Sequence, residues 1–354
     1  MDSMENLSFV LPAVTPDSDG AASMLAELGG MVIIHDPAGC MENYVVFDEP
    51  RWSDLHTMLY SSSLKQLDAI LGNDEVLIAD AVKTAETLHP AFIALVGTPV
   101  PAVTGMDLDG MAAEMEYRTG IPAFALSCSG FRPWFHGAGL ALRALVKRFT
   151  EPAEPVPGTL NILGCTPADF SEEQKDALVR RMEQAGWRVR GTFCMDVTLE
   201  AVRHMAEAER NLVVSQSGLA AAKWMEKQFK TPYTVCCPLT AAQAAGVGRD
   251  TPAAGETGEK HPGRALVIGE PVFAKSLAEV LPYQVTDSIS DAELESDILK
   301  KLEENWDAVF ADPLCAPLIP EGVRFVAVPH RALSSYFYQP LTPSALAALT
   351  EKTL

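Results

Sequence analysis

Seven cysteines are spread over 354 residues, an odd number at low density. In a reducing compartment such thiols serve as core residues or metal ligands rather than disulfide partners. Two of them stand where chemistry is possible. Cys40 closes the tract His35, Asp36, Pro37, Ala38, Gly39, Cys40, a tight turn directly after a strand-like run. Cys128, in Ser127, Cys128, Ser129, Gly130, Phe131, holds the same kind of place after another such run. Thiolates are the soft ligands that iron and zinc select, so two of them on neighbouring strand tips of one sheet are candidate metal ligands. Asp36 offers a carboxylate in the same turn, although an exposed turn acid is ordinarily only solvated. His35 and His136 flank the region as candidate hydrogen-bond donors to a bound group. Arg132, beside Phe131, is a candidate anion binder or helix cap.

The other thiols divide differently. Cys165 after a strand, Cys194 within one, and Cys315 read as small buried hydrophobes, and Trp134 reads as core. Cys236 and Cys237 follow Pro232 and Tyr233 at a strand end, and adjacent strand residues point to opposite faces, so only one of the two can line a cavity.

The elements that must carry these residues alternate between short β-branched runs and helix-length amphipathic stretches. That is the pattern of βαβ units with helices on both faces of a parallel sheet. In a first block, Met31 to His35, Ala91 to Gly97 and Pro122 to Ser127 are expected as strands. Asn73 is expected to cap a helix with Asp74 and Glu75 in its first turn and Leu77, Ala81, Ala85 and Leu88 on its apolar face. A second block opens after the proline-rich hinge 151–158 with Thr159 to Gly164. Ser171 and Gln174 form a capping box there, Leu178, Val179 and Met182 a buried face, and Gly186 a stop. Asn211 to Ser215 is its next strand, followed by a helix to about Phe229. Residues 246–263, rich in Gly, Pro, Thr and charge, read as a linker. In the third block Ala265 to Ile268, Asp307 to Ala311 and Arg324 to Val328 are strands. The expected architecture is α/β: three Rossmann-like layers with parallel sheets around a central interdomain cleft. The expected domains are 1–150 with the cluster-side cysteines, 151–250, and 251–354 ending in a C-terminal helix. No fixed-period sequence repeat is present. Ligands of such sheets bind at strand C-termini, which points to the cleft between blocks.

Composition sets the outer limits. Hydrophobic residues are 48% and charged residues 21%, an ordinary globular mix that excludes a disordered or collagenous chain. Acids outnumber bases 47 to 27, a net charge of -20, which repels phosphate backbones and anionic membranes. Neither nucleic acid nor membrane is expected as a partner, and no apolar run approaches the roughly 20 residues of a membrane-spanning helix. Met1 to Leu7 lacks the charge pattern of a secretory signal, so a cytoplasmic location is expected. The P-loop, G-x-S-x-G, H-E-x-x-H and C-x-x-C signatures are all missing, and the partial G-x-G runs at Gly137 and Gly246 lack the third glycine.

The tract His35 to Cys40 resembles the H-G-P-x-G-C turn of nitrogenase component 1 proteins, the α/β family that includes molybdenum-iron protein subunits, cofactor scaffolds and dark tetrapyrrole reductases. The similarity continues through Ser61 to Gly72, through Gly97 to Gly110, and at Cys128 to Arg132, which resembles the family's C-E-G-F-R. Leu160 to Gly164 with Asp169 resembles its N-I-x-G strand and following aspartate, and Asn211 to Pro232, with Trp224, Met225 and Glu226, resembles its N-L-x-x…M-E…x-P segment. Nearly the whole chain is covered, in order.

The departures bear on function. Family members typically hold an iron-sulfur cluster between two subunits through three cysteines per subunit, and no cysteine lies between Met41 and Ser127. Pro99 follows Thr98 where the family's S-T-C tract has its thiolate. Ser215 stands where molybdenum-iron subunits have a cofactor-binding cysteine, and a neutral hydroxyl is a poor iron ligand. The resemblance therefore implies no molybdenum-iron cofactor, with Ser215, Cys236 and Cys237 as pocket candidates. Two thiols per subunit, Cys40 and Cys128, make four across a twofold axis, the number a [4Fe-4S] cluster requires. The implied partners are a second copy or a related subunit, an ATP-hydrolysing iron protein as electron source, and a small-molecule substrate. The first functional expectation is a nitrogenase-like reductase component acting on a small unsaturated substrate, such as a tetrapyrrole, with the catalytic residues unassigned. The alternatives are a non-catalytic scaffold or carrier for a metal cluster or tetrapyrrole, and a relic of the fold that binds an organic ligand without metal.

Overall fold

The structure, a computed structural model, describes residues 8–11, 14–53, 55, 58–248 and 261–335, with 341, 342, 344, 345 and 348 beyond them. Twelve strands among the described residues form three four-stranded parallel sheets. The first holds β1 (Met31–Ile34), β2 (Met58–Ser61), β3 (Ile93–Val96) and β4 (Ala123–Leu126) in the order β2-β1-β3-β4. The second holds β5 (Val156–Leu163), β6 (Arg188–Phe193), β7 (Ala208–Val213) and β8 (Tyr233–Val235) in the order β6-β5-β7-β8. The third holds β9 (His261–Gly269), β10 (Tyr283–Ser290), β11 (Ala308–Ala311) and β12 (Arg324–Ala327) in the order β10-β9-β11-β12. One topology is used three times without a sequence repeat to betray it. In each sheet the chain reverses its direction of winding between the first and third strands, which makes the C-terminal ends of β1/β3, β5/β7 and β9/β11 the crevices where ligands of open α/β sheets bind.

The expected strands all form, because β1, β3 and β11 are wholly buried apolar runs and such runs are legible. Two strands, β2 and β10, were not expected. Both are edge strands, part-exposed along their length, so water replaces one layer of packing and their residues need not be apolar. Cys194 lies just beyond β6 rather than within a strand.

The helix Glu172–Gln184 carries the expected capping box: Ser171 Oγ accepts from Gln174 N at 3.2 Å and Gln174 Oε1 accepts from Ser171 N at 2.9 Å. The helix Asp74–Leu88 starts where expected, but the Asn73 side chain donates to Asp68 Oδ1 instead of capping. Its buried face is Ile78, Ala81 and Ala85, while Leu77 is half-buried and Leu88 exposed. Residues 249–260 of the expected linker, 1–7 at the N-terminus, and most of the expected C-terminal helix lie outside the described residues, which include only the short helix Arg331–Ser334 there.

Two apolar cores bind the sheets together. One joins Val32 and Val96 of the first sheet to Leu163 and Val213 of the second through Leu142 and Val146 of the helix Trp134–Phe149. The other joins Ile162 and Leu212 of the second sheet to Val267 and Phe310 of the third. Because these cores cross from block to block, the limits 1–150, 151–250 and 251–354 stand as proposed boundaries.

Candidate functional site

At the C-terminal tips of the first sheet, Pro37 to Cys40 are exposed and Cys40 ends a short 3-10 turn. Asp36, expected as a solvated turn acid, is instead buried beside Cys40 and Thr98. Burial pushes the Asp36 carboxyl up from its ordinary value, the polar groups of Cys40 and Thr98 opposing the shift. Burial, followed by the charge of Asp36, raises the Cys40 thiol as well. His35 is buried; its Nδ1 lies 2.8 Å from Ser62 Oγ, Thr98 Oγ1 donates to its carbonyl at 2.7 Å, and its Nε2 has no partner among the described residues. Burial takes the His35 imidazole down to about 4, so it is neutral near pH 7.

Cys128 stands apart. Strand β3 separates β1 from β4, so Cys40 and Cys128 leave strands two apart, against the expectation of neighbouring tips. Two strand spacings are about 9 to 10 Å. The Cys128 side chain is 2% exposed and belongs to the core joining the first two sheets. Burial, then Asp17 and Asp19, raises its thiol. Asp17 itself accepts from the Ser129 and Gly130 amides, at 3.1 and 2.6 Å. Arg132 is exposed and its carbonyl accepts from Asp17 N at 2.8 Å. His136 is half-buried, its imidazole lowered by burial and by Arg132.

The second constellation lies between the second and third sheets. Two lobes of a cleft, about 430 and 490 Å3 out to their mouths, share Asp169, Phe170, Gln174 and Phe273 as common walls. Only about 30 Å3 in each is wide enough for water. One lobe runs on to Arg181, Cys237 and Leu239; the other to Glu270, Val328, His330 and Leu341. Asp169 is locked: Trp134 Nε1 donates to Oδ1 at 2.9 Å, Thr166 Oγ1 to Oδ2 at 2.7 Å, and His330 Nε2 lies 3.3 Å from Oδ1. The other ring nitrogen of His330 is 2.5 Å from Asp291 Oδ2. Burial alone would lower the His330 imidazole, but the two carboxylates outweigh it and hold it well above the ordinary histidine range.

Glu270 follows β9 and caps the helix Pro271–Val280, accepting from Val272 N and Phe273 N at 2.9 and 2.8 Å. Its other oxygen accepts from Gln216 N at 2.6 Å, which ties the third block to the helix Gln216–Phe229 of the second. Complete burial and the nearby Asp169 push Glu270 up to about 8, against the pull of those amides and of His330.

Of the expected pocket residues, Cys237 lines the cleft, while Cys236 meets Ser276 Oγ at 3.8 Å. Ser215 is fully buried and donates to Gly164 O at 2.6 Å, so its hydroxyl is spent inside the second block. Cys165, Cys194 and Cys315 are core residues and Trp134 is fully buried, as expected. Arg181, Glu270, Asp291 and His330 were not singled out from sequence. Glu270 and His330 had a usable signal, each two residues past a β-branched run; Asp291 did not, because it follows the unexpected β10.

A four-thiolate cluster shared across a twofold axis needs two thiolates from each chain. Each chain offers one exposed thiol, Cys40, and one enclosed in the core, Cys128. Among the described residues no group of three His, Cys, Asp or Glu is disposed to hold a metal ion. A cluster on both thiols does not fit this arrangement, and no step is derived through one.

Residues 18–244, more than half of the chain, match the nitrogenase component 1 type oxidoreductases. The chain belongs to that family. Its relatives include the nitrogenase iron-molybdenum cofactor biosynthesis protein NifE of Klebsiella pneumoniae, 25% identical over 61% of this chain and 50% of that protein. Another is the nitrogenase molybdenum-iron protein alpha chain of Clostridium pasteurianum, 26% identical over 58% of this chain and 40% of that one. The chain thus spans about half the length of the curated relatives it matches. The solved structure of nitrogenase Cp1 at pH 5 shares the fold, with a TM-score of 0.66 and 17% identity over 97% of this chain and 88% of that one. Glu270, Asp291 and His330 lie outside the residues matched by the family. No helix among the described residues is long and apolar enough to cross a membrane.

Proposed function

We propose that this nitrogenase-like chain is a scaffold or carrier whose cargo docks in the cleft between the second and third blocks. The observation that carries the reading is the opposite fate of the two constellations. Ionisable groups from both blocks converge on the cleft, whereas the two thiols needed for a resident cluster diverge into solvent and core. The relatives named for cofactor biosynthesis support the same reading. A cytoplasmic location is part of the proposal.

The test is anaerobic purification of the whole chain, followed by iron and sulfide analysis and an electronic spectrum. The expected result is iron and sulfide far below four per dimer, unchanged in Cys128→Ser. Stoichiometric iron and sulfide that collapse in both Cys40→Ser and Cys128→Ser would overturn the carrier in favour of a second reading. That reading is a reductase component with a [4Fe-4S] cluster at a subunit interface, fed electrons by an iron-protein ATPase and acting on a small unsaturated molecule. One observation favours it. Around exposed Cys40 the tips of the first sheet present Leu67, Ile70, Leu71, Val103 and Phe131, each at least 65% exposed, an apolar platform suited to a second subunit.

A further inference from the structure

We propose that the cleft recognises its ligand through an anionic group bound by Arg181, so that the occupant is an amphiphilic organic anion with a carboxylate or phosphate head and an apolar body. The inference rests on the cleft being the cargo site and adds the chemistry that selects the cargo.

Arg181 projects from the helix Glu172–Gln184 and lines the lobe beyond Phe170 and Phe273. It is half-buried, and it makes no ion pair among the described residues. Its one hydrogen bond runs from Nη1 to Pro238 O at 2.6 Å. A guanidinium has five N–H donors in a planar fork that matches a carboxylate or phosphate in two places at once. One neutral carbonyl leaves most of that fork unused. In a chain with 47 acids to 27 bases, a half-buried arginine without a carboxylate is conspicuous, and burial without a counter-ion lowers its own pKa. A bound anion would remove that penalty.

The rest of the lobe fixes the ligand's other end. Ala177, Leu178, Pro238, Leu239, Phe170 and Phe273 are apolar walls, which exclude a free inorganic ion as the natural occupant and favour a hydrocarbon or aromatic body. Asp169, at the junction of the lobes, has both oxygens occupied by Trp134, Thr166 and His330. It is therefore a closed acidic wall that repels an anionic head from the middle of the cleft and leaves the Arg181 end as its seat. Since only about 30 Å3 of each lobe is wide enough for water, binding must widen the lobe.

The experiment is calorimetric titration of the full chain with hexanoate, hexyl phosphate and uncharged hexanamide at neutral pH. At least one anion should bind at least about tenfold more tightly than hexanamide, and Arg181→Gln should remove that difference. Arg180→Gln, an exposed neighbour, should not. Preference for hexanoate identifies a carboxylate head and preference for hexyl phosphate a phosphate monoester. Because Arg181 also holds the Pro238 carbonyl, Ala177→Trp provides an independent block: it fills the lobe from one turn earlier on the same helix face, leaves the guanidinium intact, and should abolish binding while thermal unfolding stays cooperative. Equal binding of hexanamide, no binding of either anion at millimolar concentration, or full affinity in folded Arg181→Gln would overturn the inference. A stoichiometric cluster on Cys40 and Cys128 would instead defeat the carrier reading while leaving the anion titration to be decided by itself.

Discussion

His330 Nδ1 lies 2.5 Å from Asp291 Oδ2, so the segment that leaves β12 is clamped by the residue that follows β10. The far side of the same ring reaches Asp169 of the second block. One imidazole therefore spans two carboxylates and joins two blocks behind the cleft. Both ring nitrogens face acceptors, which favours the doubly protonated ring. The arrangement makes His330 a charge partner and leaves no nitrogen for a metal while both contacts stand.

Asp291→Asn should destabilise the protein by about 3 kcal/mol, the scale of breaking one side of a buried ion pair. The loss should depend on pH. A histidine whose folded pKa is raised contributes stability in full below its ordinary value of about 6.5 and loses it as pH rises through the folded value. The gap between parent and variant in urea unfolding should accordingly be largest near pH 6 and shrink in alkali. A gap of the same size at both ends would mean that Asp291 acts by packing alone.

Glu270 works in the same direction by a different route. Its folded pKa of about 8 exceeds its ordinary 4.5, so the folded state holds a proton that the unfolded chain has already released. Stability should fall as pH rises from 4.5 towards 8 and level off above that. Glu270→Gln removes the titration. It also loses one acceptor for the amides of Gln216, Val272 or Phe273, a deficit of about 1 kcal/mol that is nearly constant with pH. The variant's thermal midpoint should therefore start lower at pH 5 and decline less steeply to pH 8 than the parent's. Parallel curves would show that the amides keep Glu270 ionised.

The thiols should separate by reactivity. Cys40 is exposed, whereas Cys128, Cys165, Cys194, Cys237 and Cys315 are buried and Cys236 is half-buried. Short alkylation of the native chain, mapped by mass spectrometry, should label Cys40 first and Cys236 next. Because burial and Asp36 raise the Cys40 thiol, Asp36→Asn should speed its labelling at neutral pH. Rapid labelling of Cys128 would show that the core opens there and would revive a shared metal site.

How much of this was legible follows from what each residue needs from its surroundings. Buried strands such as β1 and β3 must be apolar and stand out, as does the Ser171 to Gln174 box, which is a purely local contact. Edge strands β2 and β10 are wet on one side and carry no such mark. Asp36 stands in a turn whose next residues, Pro37 to Cys40, are exposed, yet Thr98, just past the end of the adjacent strand β3, closes over it. Cys40 and Cys128 looked like partners because each follows a strand. Their separation depends on strand order, which no single segment encodes. Asp169 stands out in the sequence only through resemblance; its grip on Trp134 and His330 joins three blocks and exists only once they pack.

Packing within the first block hinges on two glycines. The helices Asp17–Leu25 and Trp134–Phe149 touch through reciprocal contacts: a Cβ on Gly20 would lie 2.1 Å from Trp134 O, and one on Gly137 would lie 1.7 Å from Asp17 O. In an isolated helix Gly→Ala gains about 1 kcal/mol. Here the obstacle is backbone, which cannot rotate aside, and overpacking of this kind costs about 1 to 3 kcal/mol or more. Gly137→Ala should thus be destabilising, opposite in sign to its helix propensity. It should also disturb Asp17, whose carboxylate holds the Ser129 and Gly130 amides beside Cys128. Urea unfolding measures the first effect, and faster alkylation of Cys128 in the folded variant measures the second. A Gly137→Ala protein as stable as the parent would mean that the helices slide apart without cost, and the crossing would then not be what seals the core around Cys128.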